Sequence, residues 1–376
     1  MFYQIVSFMP IVVCAFWAIA LAINIWERGN RAAHGQLLMW AITATLLYIG
    51  HFVFFNRLTG AILVSDTIYA VCNLLVYPLY LYYITVLTKG KANSRQLWFT
   101  VLPAVVIGIM VATIYMMMSH DERLQFINTY LYSNSMQGLA GLAKVQAVIH
   151  QTAKILFAIG VVGVLFVSIR HIRNYNKLVD SIYADSDDKR LFGITTLLLL
   201  TVITGILSFT VNAVGRFVFL NSKVTLAALA CFFCFLLYLI CYRGFVQQFS
   251  FVDIENEERK DSIEDIKTIG PTEAIPQDGL LMLLKKIDDE QLFLRPGLTL
   301  AELAKQLGTN RTMLSKLINE QIGMPFAEFI NRKRIAYFKK LKKEFPNALK
   351  QELAEKAGYT SMRSFYRNYH LYNEES

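Results

Sequence analysis

Residues 300–318 read Leu-Ala-Glu-Leu-Ala-Lys-Gln-Leu-Gly-Thr-Asn-Arg-Thr-Met-Leu-Ser-Lys-Leu-Ile, and this stretch decides the fold of the C-terminal part of the chain. Leucine or alanine recurs at i, i+3, i+4 and i+7 from Leu300, a spacing that places those side chains on one buried helix face. Gly308 follows where a left-handed residue ends a helix, and Asn310 stands where a side-chain cap begins the next one. The stretch therefore predicts two short helices joined by a tight turn, which is a helix-turn-helix.

A second copy of this skeleton follows fifty residues later, because residues 353–358 (Leu-Ala-Glu-Lys-Ala-Gly) repeat the pattern of residues 303–308 (Leu-Ala-Lys-Gln-Leu-Gly). Between the copies, Pro325 occupies the favoured first-turn position of a helix, and regularly spaced apolar residues continue that helix to Leu341. The outer face of this helix is predicted to be basic and to carry Arg332, Lys333, Arg334, Lys339, Lys340, Lys342 and Lys343. Fifty residues fit two helix-turn-helix units joined by one long helix.

The chain as a whole is too apolar for an ordinary soluble protein. Of its 376 residues, 55% are hydrophobic and 17% are charged, and the mean hydropathy is +0.40. A membrane-spanning helix needs about 20 mostly apolar residues. Seven segments qualify: 4–26, 37–56, 63–87, 97–118, 147–169, 192–214 and 222–242. The predicted fold class is all-α, with a seven-transmembrane helix bundle followed by a cytoplasmic double helix-turn-helix domain.

The loops and span ends predict how this bundle is oriented. The loops after the first, third and fifth spans hold ten Lys or Arg residues, whereas the loops on the other side hold five. The positive-inside rule then places the N-terminus outside and the C-terminal domain in the cytoplasm. Trp26, Trp40 and Trp98 lie near span ends, where tryptophan anchors helices at the interface.

Charge divides the chain into three domains: a membrane domain over 1–248, an acidic linker over 249–278 and a C-terminal domain over 279–376. The linker contains nine acidic and three basic residues, a net charge of −6. The C-terminal domain contains seventeen basic and eleven acidic residues, a net charge of +6. A basic domain behind an acidic connector suits a partner that carries phosphates.

Several polar residues fall inside the predicted spans, all in the halves that face outward under this orientation. They are His51, Asp66, Tyr69, Asn73, His150, Lys154, Asn212 and Arg216. Polar groups in spans are costly and often functional, so one interpretation is an outward-opening pocket for a small polar or anionic ligand. The alternative is that some of them reach to the interface and the rest bond between helices.

The C-terminal domain resembles the DNA-binding domain of the AraC/XylS family of bacterial transcription regulators over about residues 280–369. The resemblance rests on Gly-Met-Pro-Phe-Ala-Glu-Phe-Ile-Asn-Arg-Lys-Arg-Ile at 323–335 and Ala-Glu-Lys-Ala-Gly-Tyr-Thr-Ser-Met-Arg-Ser-Phe-Tyr-Arg-Asn-Tyr at 354–369. It implies that two recognition helices enter successive major grooves of double-stranded DNA. The implied DNA-binding residues are Arg311, Thr312, Ser315 and Lys316 in the first unit, Met362, Arg363 and Arg367 in the second, and Arg332 on the connecting helix.

These features favour a membrane-anchored one-component regulator in the bacterial inner membrane, bound to promoter DNA and controlled by a signal sensed in the bundle. Its expected partners are promoter DNA, the lipid bilayer and an unidentified small ligand or membrane partner protein, and a homodimer would raise the local concentration of DNA-binding domains. The alternative is a polytopic sensor or transporter-like protein whose basic domain docks on a protein or on anionic lipid. No enzyme activity, catalytic residue, metal site or cofactor is predicted, because the sequence has no phosphate loop, metal-ligand cluster or nucleophile motif.

Overall fold

The structure is a computed structural model. It describes residues 2–28, 32–91, 94–186, 189–191, 196, 198–200, 202–203, 205–207, 209–210, 223–247, 250–256 and 277–372. Asn212, Arg216 and most of the acidic linker lie outside these ranges. The chain divides into two compact units, residues 1–172 with 191–251 and residues 173–190 with 252–376.

The first unit is built from long helices. They are α1 (Phe2–Arg28), α2 (Ala32–Phe55), α3 (Ile62–Lys89), α4 (Ser94–Met117), α5 (His120–Gln125), most of α6 (Gly141–Ile182) and α7 (Lys223–Val246). A π-helical turn, Phe126–Leu131, follows α5. Within the described residues, five helices are long and apolar enough to cross a membrane, and shorter apolar helices lie at Val101–Met117 and Leu198–Leu207. Each of the seven predicted segments overlaps one of these helices.

The outer surface of the first unit is apolar. Ile19, Ile159 and Phe166 are exposed on it, and contiguous apolar surface of this kind suits lipid better than water. Trp26 and Trp98 are also exposed, in keeping with interfacial anchoring. The expectation for Trp40 is wrong, because its side chain is only 1% exposed and packs inside the bundle.

One glycine lets two helices approach each other closely in the first unit. A Cβ atom added to Gly50 of α2 would lie 2.9 Å from Cβ of Tyr69 in α3. Small residues permit such close backbone packing between apolar helices. The contact brings His51, which follows Gly50, against the ring of Tyr69 at 5.0 Å between ring centroids.

The second unit contains the end of α6 and a run of shorter helices. These are α8 (Gln277–Asp289), α9 (Leu300–Leu307), α10 (Arg311–Lys316), α11 (Phe326–Glu344), α12 (Lys350–Lys356) and α13 (Met362–Tyr372). Among the residues that the structure describes, the one strand-like pairing is an isolated antiparallel bridge between Tyr183 and Thr299.

Local sequence explains why α9 and α10 form where they do. Thr299 and Glu302 make a reciprocal capping box at the start of α9. Gly308 ends this helix with φ of 72°, a left-handed conformation that costs glycine little. Asn310 then caps α10 by accepting a hydrogen bond from the Met313 backbone N–H at 2.8 Å. The helix and turn boundaries predicted from 300–318 are therefore confirmed.

Helix α11 contributes to both cores of the second unit. Phe326, Phe329 and Ile330 pack into the first core, with α9 and α10. Ile335, Phe338 and Leu341 pack into the second core, with α12 and α13. The predicted arrangement of two helix-turn-helix units joined by one long helix is confirmed.

Candidate DNA-binding surface and membrane cavity

The first recognition helix, α10, presents its polar residues on the face opposite its core contacts. Leu314 is buried, and the π-helical turn that continues the helix buries Leu317 and Ile318. On the other face Thr312 and Lys316 are exposed, while Arg311 and Ser315 are partly exposed. All four predicted contact residues are thus accessible on one recognition helix.

Two of these residues also make contacts within the helix. Ser315 Oγ accepts a hydrogen bond from Asn319 Nδ2 at 3.2 Å, and Lys316 Nζ lies 4.0 Å from Glu320 Oε2. Both contacts are on the surface, where such pairs contribute little to stability. They can therefore be exchanged for contacts with DNA at small cost.

The three predicted contact residues of the second recognition helix, α13, differ in how exposed they are. Arg363 is exposed, whereas Met362 packs against the second core, which favours a packing role for this side chain. Arg367 is half-buried. Burial lowers the pKa of its guanidinium, and Asp180, Tyr372 and Asp185 oppose that shift. Arg363 is the most accessible of the three.

Arg332, on the connecting helix, is held by neighbours of its own unit. Its Nη2 and Nε donate to Glu328 Oε1 at 2.8 Å and 3.0 Å, and its guanidinium lies 5.1 Å from the Tyr372 ring centroid. Two charge-assisted hydrogen bonds to one carboxylate oxygen order the side chain. Arg332 must give up part of this arrangement in order to reach a phosphate.

Arg334 does not lie on the outer basic face of α11, so this part of the sequence prediction is wrong. The side chain is fully buried, because it follows Phe326 and Ile330 at four-residue intervals on the core-facing side. Its guanidinium donates to Phe293 O at 2.7 Å, to Arg295 O at 2.7 Å and to Asp185 Oδ1 at 2.9 Å. It also lies 5.5 Å from the Tyr359 ring centroid, and so contacts one residue of each core, Phe293 and Tyr359.

The carboxylate that pairs with Arg334 belongs to a turn after α6 that sequence reasoning missed. We call residues 183–186 the docking turn. Ala184 is fully buried in the first core. Its N–H donates to Leu298 O at 3.0 Å, and its carbonyl accepts from Asn331 Nδ2 at 2.8 Å. Asp185 Oδ2 accepts from the Gly297 N–H at 2.9 Å. The docking turn is thus an integral part of the second unit.

Six of the eight predicted pocket residues line one cavity in the first unit. They are His51, Asp66, Tyr69, Asn73, His150 and Lys154. The cavity has a volume of about 260 Å³, near the lower limit of typical ligand sites. Asn212 and Arg216, the other two, are outside the described residues. A ligand-binding role for the set stays a prediction.

Asp66, His150 and Tyr115 form a buried polar cluster at this cavity. Asp66 Oδ2 accepts from Tyr115 Oη at 2.7 Å and lies 2.7 Å from His150 Nε2. His150 Nδ1 lies 2.9 Å from the Gln146 carbonyl oxygen. Through Tyr115 and His150, Asp66 therefore connects α3 to α4 and α6.

The loop between α4 and α6 contributes cavity residues that the sequence did not single out. Tyr130, Leu131 and Asn134 line the cavity. We call residues 119–140 the outer loop, after the side of the membrane on which the positive-inside rule predicts it. Lys154 Nζ donates to Asn134 Oδ1 at 3.3 Å and lies 5.3 Å from the Tyr130 ring centroid. Nothing in the composition of this loop, whose two tyrosines are Tyr130 and Tyr132, indicated that it lines a cavity.

A capping box fixes the start of the outer loop. Ser119 and Glu122 cap each other's backbone N–H groups, and Glu122 Oε1 also accepts from the Leu142 N–H at 3.0 Å. The hydrogen bonds from the Ser119 and Leu142 backbones lower the pKa of the Glu122 carboxyl. One carboxylate therefore joins the beginning of the outer loop to the beginning of α6.

Comparison with known proteins identifies the C-terminal domain. Residues 303–376 match the family model of a helix-turn-helix domain, of the AraC type. No curated protein and no solved structure matches the chain significantly. The second unit therefore carries an AraC-type helix-turn-helix DNA-binding domain, and the resemblance predicted from residues 323–335 and 354–369 is confirmed.

Proposed function

We propose that the chain is a membrane-anchored one-component transcription regulator that binds promoter DNA through its two helix-turn-helix units. The observation that carries this proposal is the AraC-type domain at 303–376 in the same chain as several long apolar helices. Arg311, Lys316 and Arg363 are accessible cations on the two recognition helices, and such side chains bind guanine edges and phosphates. The charge of the loops supports placing this domain in the cytoplasm, at the bacterial inner membrane.

We further propose that the bundle controls DNA binding through α6. Near its beginning, this helix carries His150 and Lys154, which line the cavity. Its 42 residues make it about 63 Å long at 1.5 Å per residue, about twice the thickness of a hydrocarbon core. The docking turn follows directly after Ile182 and is built into the DNA-binding unit.

The physical basis of this control is the continuity of α6. A helix transmits a shift or rotation along its axis because its backbone is hydrogen-bonded throughout. The docking turn begins at Tyr183, directly after the last residue of α6. A ligand in the cavity would regulate DNA binding if it bound two positions of α6 with different affinities. The same displacement would alter the support that Asp185 gives to Arg334.

Chromatin immunoprecipitation of the full-length protein tests the DNA-binding part of the proposal. We expect wild type to enrich discrete promoter loci, and the double variant Arg311→Ala/Arg363→Ala to lose them at an unchanged membrane level. Lys285→Ala is the matched control, since Lys285 is an exposed cation of α8 and belongs to neither recognition helix. Absence of enriched loci in wild type, or equal loss in the control, would contradict the proposal. Retention of the protein on anionic vesicles without enriched loci would favour lipid docking instead.

A further inference from the structure

The connection between α11 and α12 exposes apolar side chains on the DNA-binding unit. Phe345 is 50% exposed and Leu349 is 67% exposed. Leu349 is also the N-cap residue of α12 and makes no side-chain cap hydrogen bond, whereas serine, threonine, aspartate or asparagine would stabilise the helix there. Neither residue belongs to the second core, so the stability of the unit does not account for an apolar residue at either position.

The same connection is held in one conformation by its own hydrogen bonds. Lys342 Nζ donates to the carbonyl oxygen of Pro346 at 2.6 Å and to that of Ala348 at 3.4 Å. The Ala348 N–H in turn donates to the Phe345 carbonyl oxygen at 3.1 Å. Phe345 and Leu349 are therefore presented by an ordered turn.

Three lysines flank this turn without a carboxylate to neutralise them. Lys340, Lys343 and Lys350 are exposed, and none of them forms an ion pair with a residue that the structure describes. The cations nearer the start of α11 are paired. Residues 340–350 contain four lysines and one glutamate, a net charge of +3. We call the following five residues the corner patch: Lys340, Lys343, Phe345, Leu349 and Lys350.

Unpaired lysines beside exposed apolar side chains fit the surface of an anionic bilayer. Anionic head groups attract lysines near the membrane surface, and the boundary between head groups and acyl chains takes up aromatic and aliphatic side chains. The phosphates of DNA would attract the lysines, but they would not bury Phe345 or Leu349. The combination of charge and apolar surface therefore favours lipid over nucleic acid at the corner patch.

We propose that the corner patch binds the DNA-binding unit to the anionic lipids of the membrane in which the chain is anchored. The three lysines contact head-group phosphates, while Phe345 and Leu349 enter the boundary between head groups and acyl chains. This contact rests on the membrane anchoring in the proposed function, but not on DNA binding or on a ligand in the cavity. Because the anchor and the patch belong to one chain, the contact is intramolecular in effect and needs little intrinsic affinity.

Photocrosslinking of the full-length protein in lipid nanodiscs tests the contact. p-Benzoylphenylalanine in place of Phe345 keeps an aromatic side chain and reacts with nearby C–H bonds when it is irradiated. We expect lipid adducts on the peptide that contains position 345 in nanodiscs with phosphatidylglycerol, and far fewer in nanodiscs of phosphatidylcholine alone. Salt at about 1 M should also suppress them, since it shortens the Debye length to about 3 Å. The same photoprobe at Met282 of α8, which is 74% exposed, is the control and should give few adducts in either lipid.

Variants of the lysines test the charge of the patch. Lys343→Gln should weaken the contact by about fivefold, as expected for one lysine near an anionic surface, and Lys340→Gln/Lys343→Gln by about 25-fold. Lys285→Gln is the matched control, because Lys285 is an exposed lysine of the same unit outside the patch. Lys340→Arg/Lys343→Arg keeps both charges and should form adducts as wild type does.

The outcomes separate lipid binding from DNA binding. Adducts at position 345 that do not depend on phosphatidylglycerol, or that only equal those at position 282, overturn the proposal. Unchanged adducts together with lost promoter loci in Lys340→Gln/Lys343→Gln would assign these lysines to DNA and would also overturn it. Lipid-dependent adducts in a protein that enriches no promoter loci would refute the regulator and leave the lipid contact. Enriched loci without adducts would refute the lipid contact alone.

Discussion

Asp185 Oδ1 accepts a hydrogen bond at 2.9 Å from Arg334 Nη1, and the two residues lie 149 positions apart in the sequence. Arg334 is fully buried between the two helix-turn-helix cores, and Asp185 belongs to the docking turn that follows α6. A charged side chain buried in this way loses its hydration, and only pairing with an opposite charge compensates for that loss. The DNA-binding unit is therefore completed by a segment that precedes it by about a hundred residues.

Replacement of Asp185 should destabilise the second unit strongly. Asp185→Ala leaves the Arg334 guanidinium buried without its carboxylate, which costs about 3 kcal/mol. Asp288→Ala is the matched control, since it removes the ion pair of Lys333 with an exposed aspartate and should cost less than about 1 kcal/mol. Pulse proteolysis of the full-length protein in urea measures both changes. Equal effects of the two substitutions would show that the buried pair has no special role.

A fragment that begins at residue 277 should be less stable than the same residues in the full chain. It lacks Ala184, which fills the first core, and the carboxylate of Asp185. Adding a peptide of residues 176–190 should raise the urea midpoint of the fragment saturably. The same peptide with Asp185→Ala is the control and should raise it less. A midpoint that does not respond to the natural peptide would mean that the docking turn is dispensable.

The recognition-helix cations should contribute unequally to DNA binding. Arg311→Ala should weaken binding to a target promoter by about 1–3 kcal/mol if Arg311 contacts a base. Arg332→Ala should have a smaller effect, because Arg332 is already paired with Glu328. Fluorescence anisotropy of the nanodisc-bound protein with labelled promoter DNA measures both, over a range of salt concentrations. Each lost phosphate contact should reduce the salt slope by about 0.9; a larger loss for Arg332→Ala would reverse the assignment.

The outer loop should loosen in acid. The hydrogen bonds of the capping box lower the pKa of Glu122 below its ordinary value of 4.5. Glu122 therefore stabilises the folded loop above that pH, and this contribution is lost as the pH falls through the lowered pKa. Hydrogen exchange at the Ser119 and Leu142 amides, corrected for intrinsic rates, should accelerate there. In Glu122→Gln, exchange at these amides should be faster than in wild type already at neutral pH. If exchange in this variant still accelerates in acid as much as it does in wild type, Glu122 is not the cause of the acceleration.

Local patterns predicted the parts of the fold that depend on local interactions. The spacing from Leu300 to Ile318, together with Gly308 and Asn310, predicted α9, the turn and α10, because caps and helix periodicity act over a few residues. For Arg334, the residue type led to a wrong prediction of its position, and helix periodicity would have led to the right one. Arg334 was assigned to the surface as a cation, although its spacing from Ile330 places it on the buried face.

Contacts between distant segments had no local signal. Nothing in the sequence around Ala184 indicates that its carbonyl accepts a hydrogen bond from Asn331, 147 positions away. Trp40 was likewise expected at the interface because of its place in the span, yet the packing of α2 against its neighbours turns it inward. Only the polar residues of the cavity were predicted. In a sequence, apolar residues that line a cavity cannot be distinguished from those that pack between helices.

The most direct test of regulation from the membrane is to recover crosslinked promoter DNA separately through a tag at the N-terminus and a tag at the C-terminus. The N-terminal tag is attached to α1, whereas the DNA-binding domain lies at 303–376. If the intact chain binds DNA from the membrane, both tags should recover the same loci with equal efficiency. Recovery through the C-terminal tag alone would mean that a released fragment binds DNA, and would contradict control through α6.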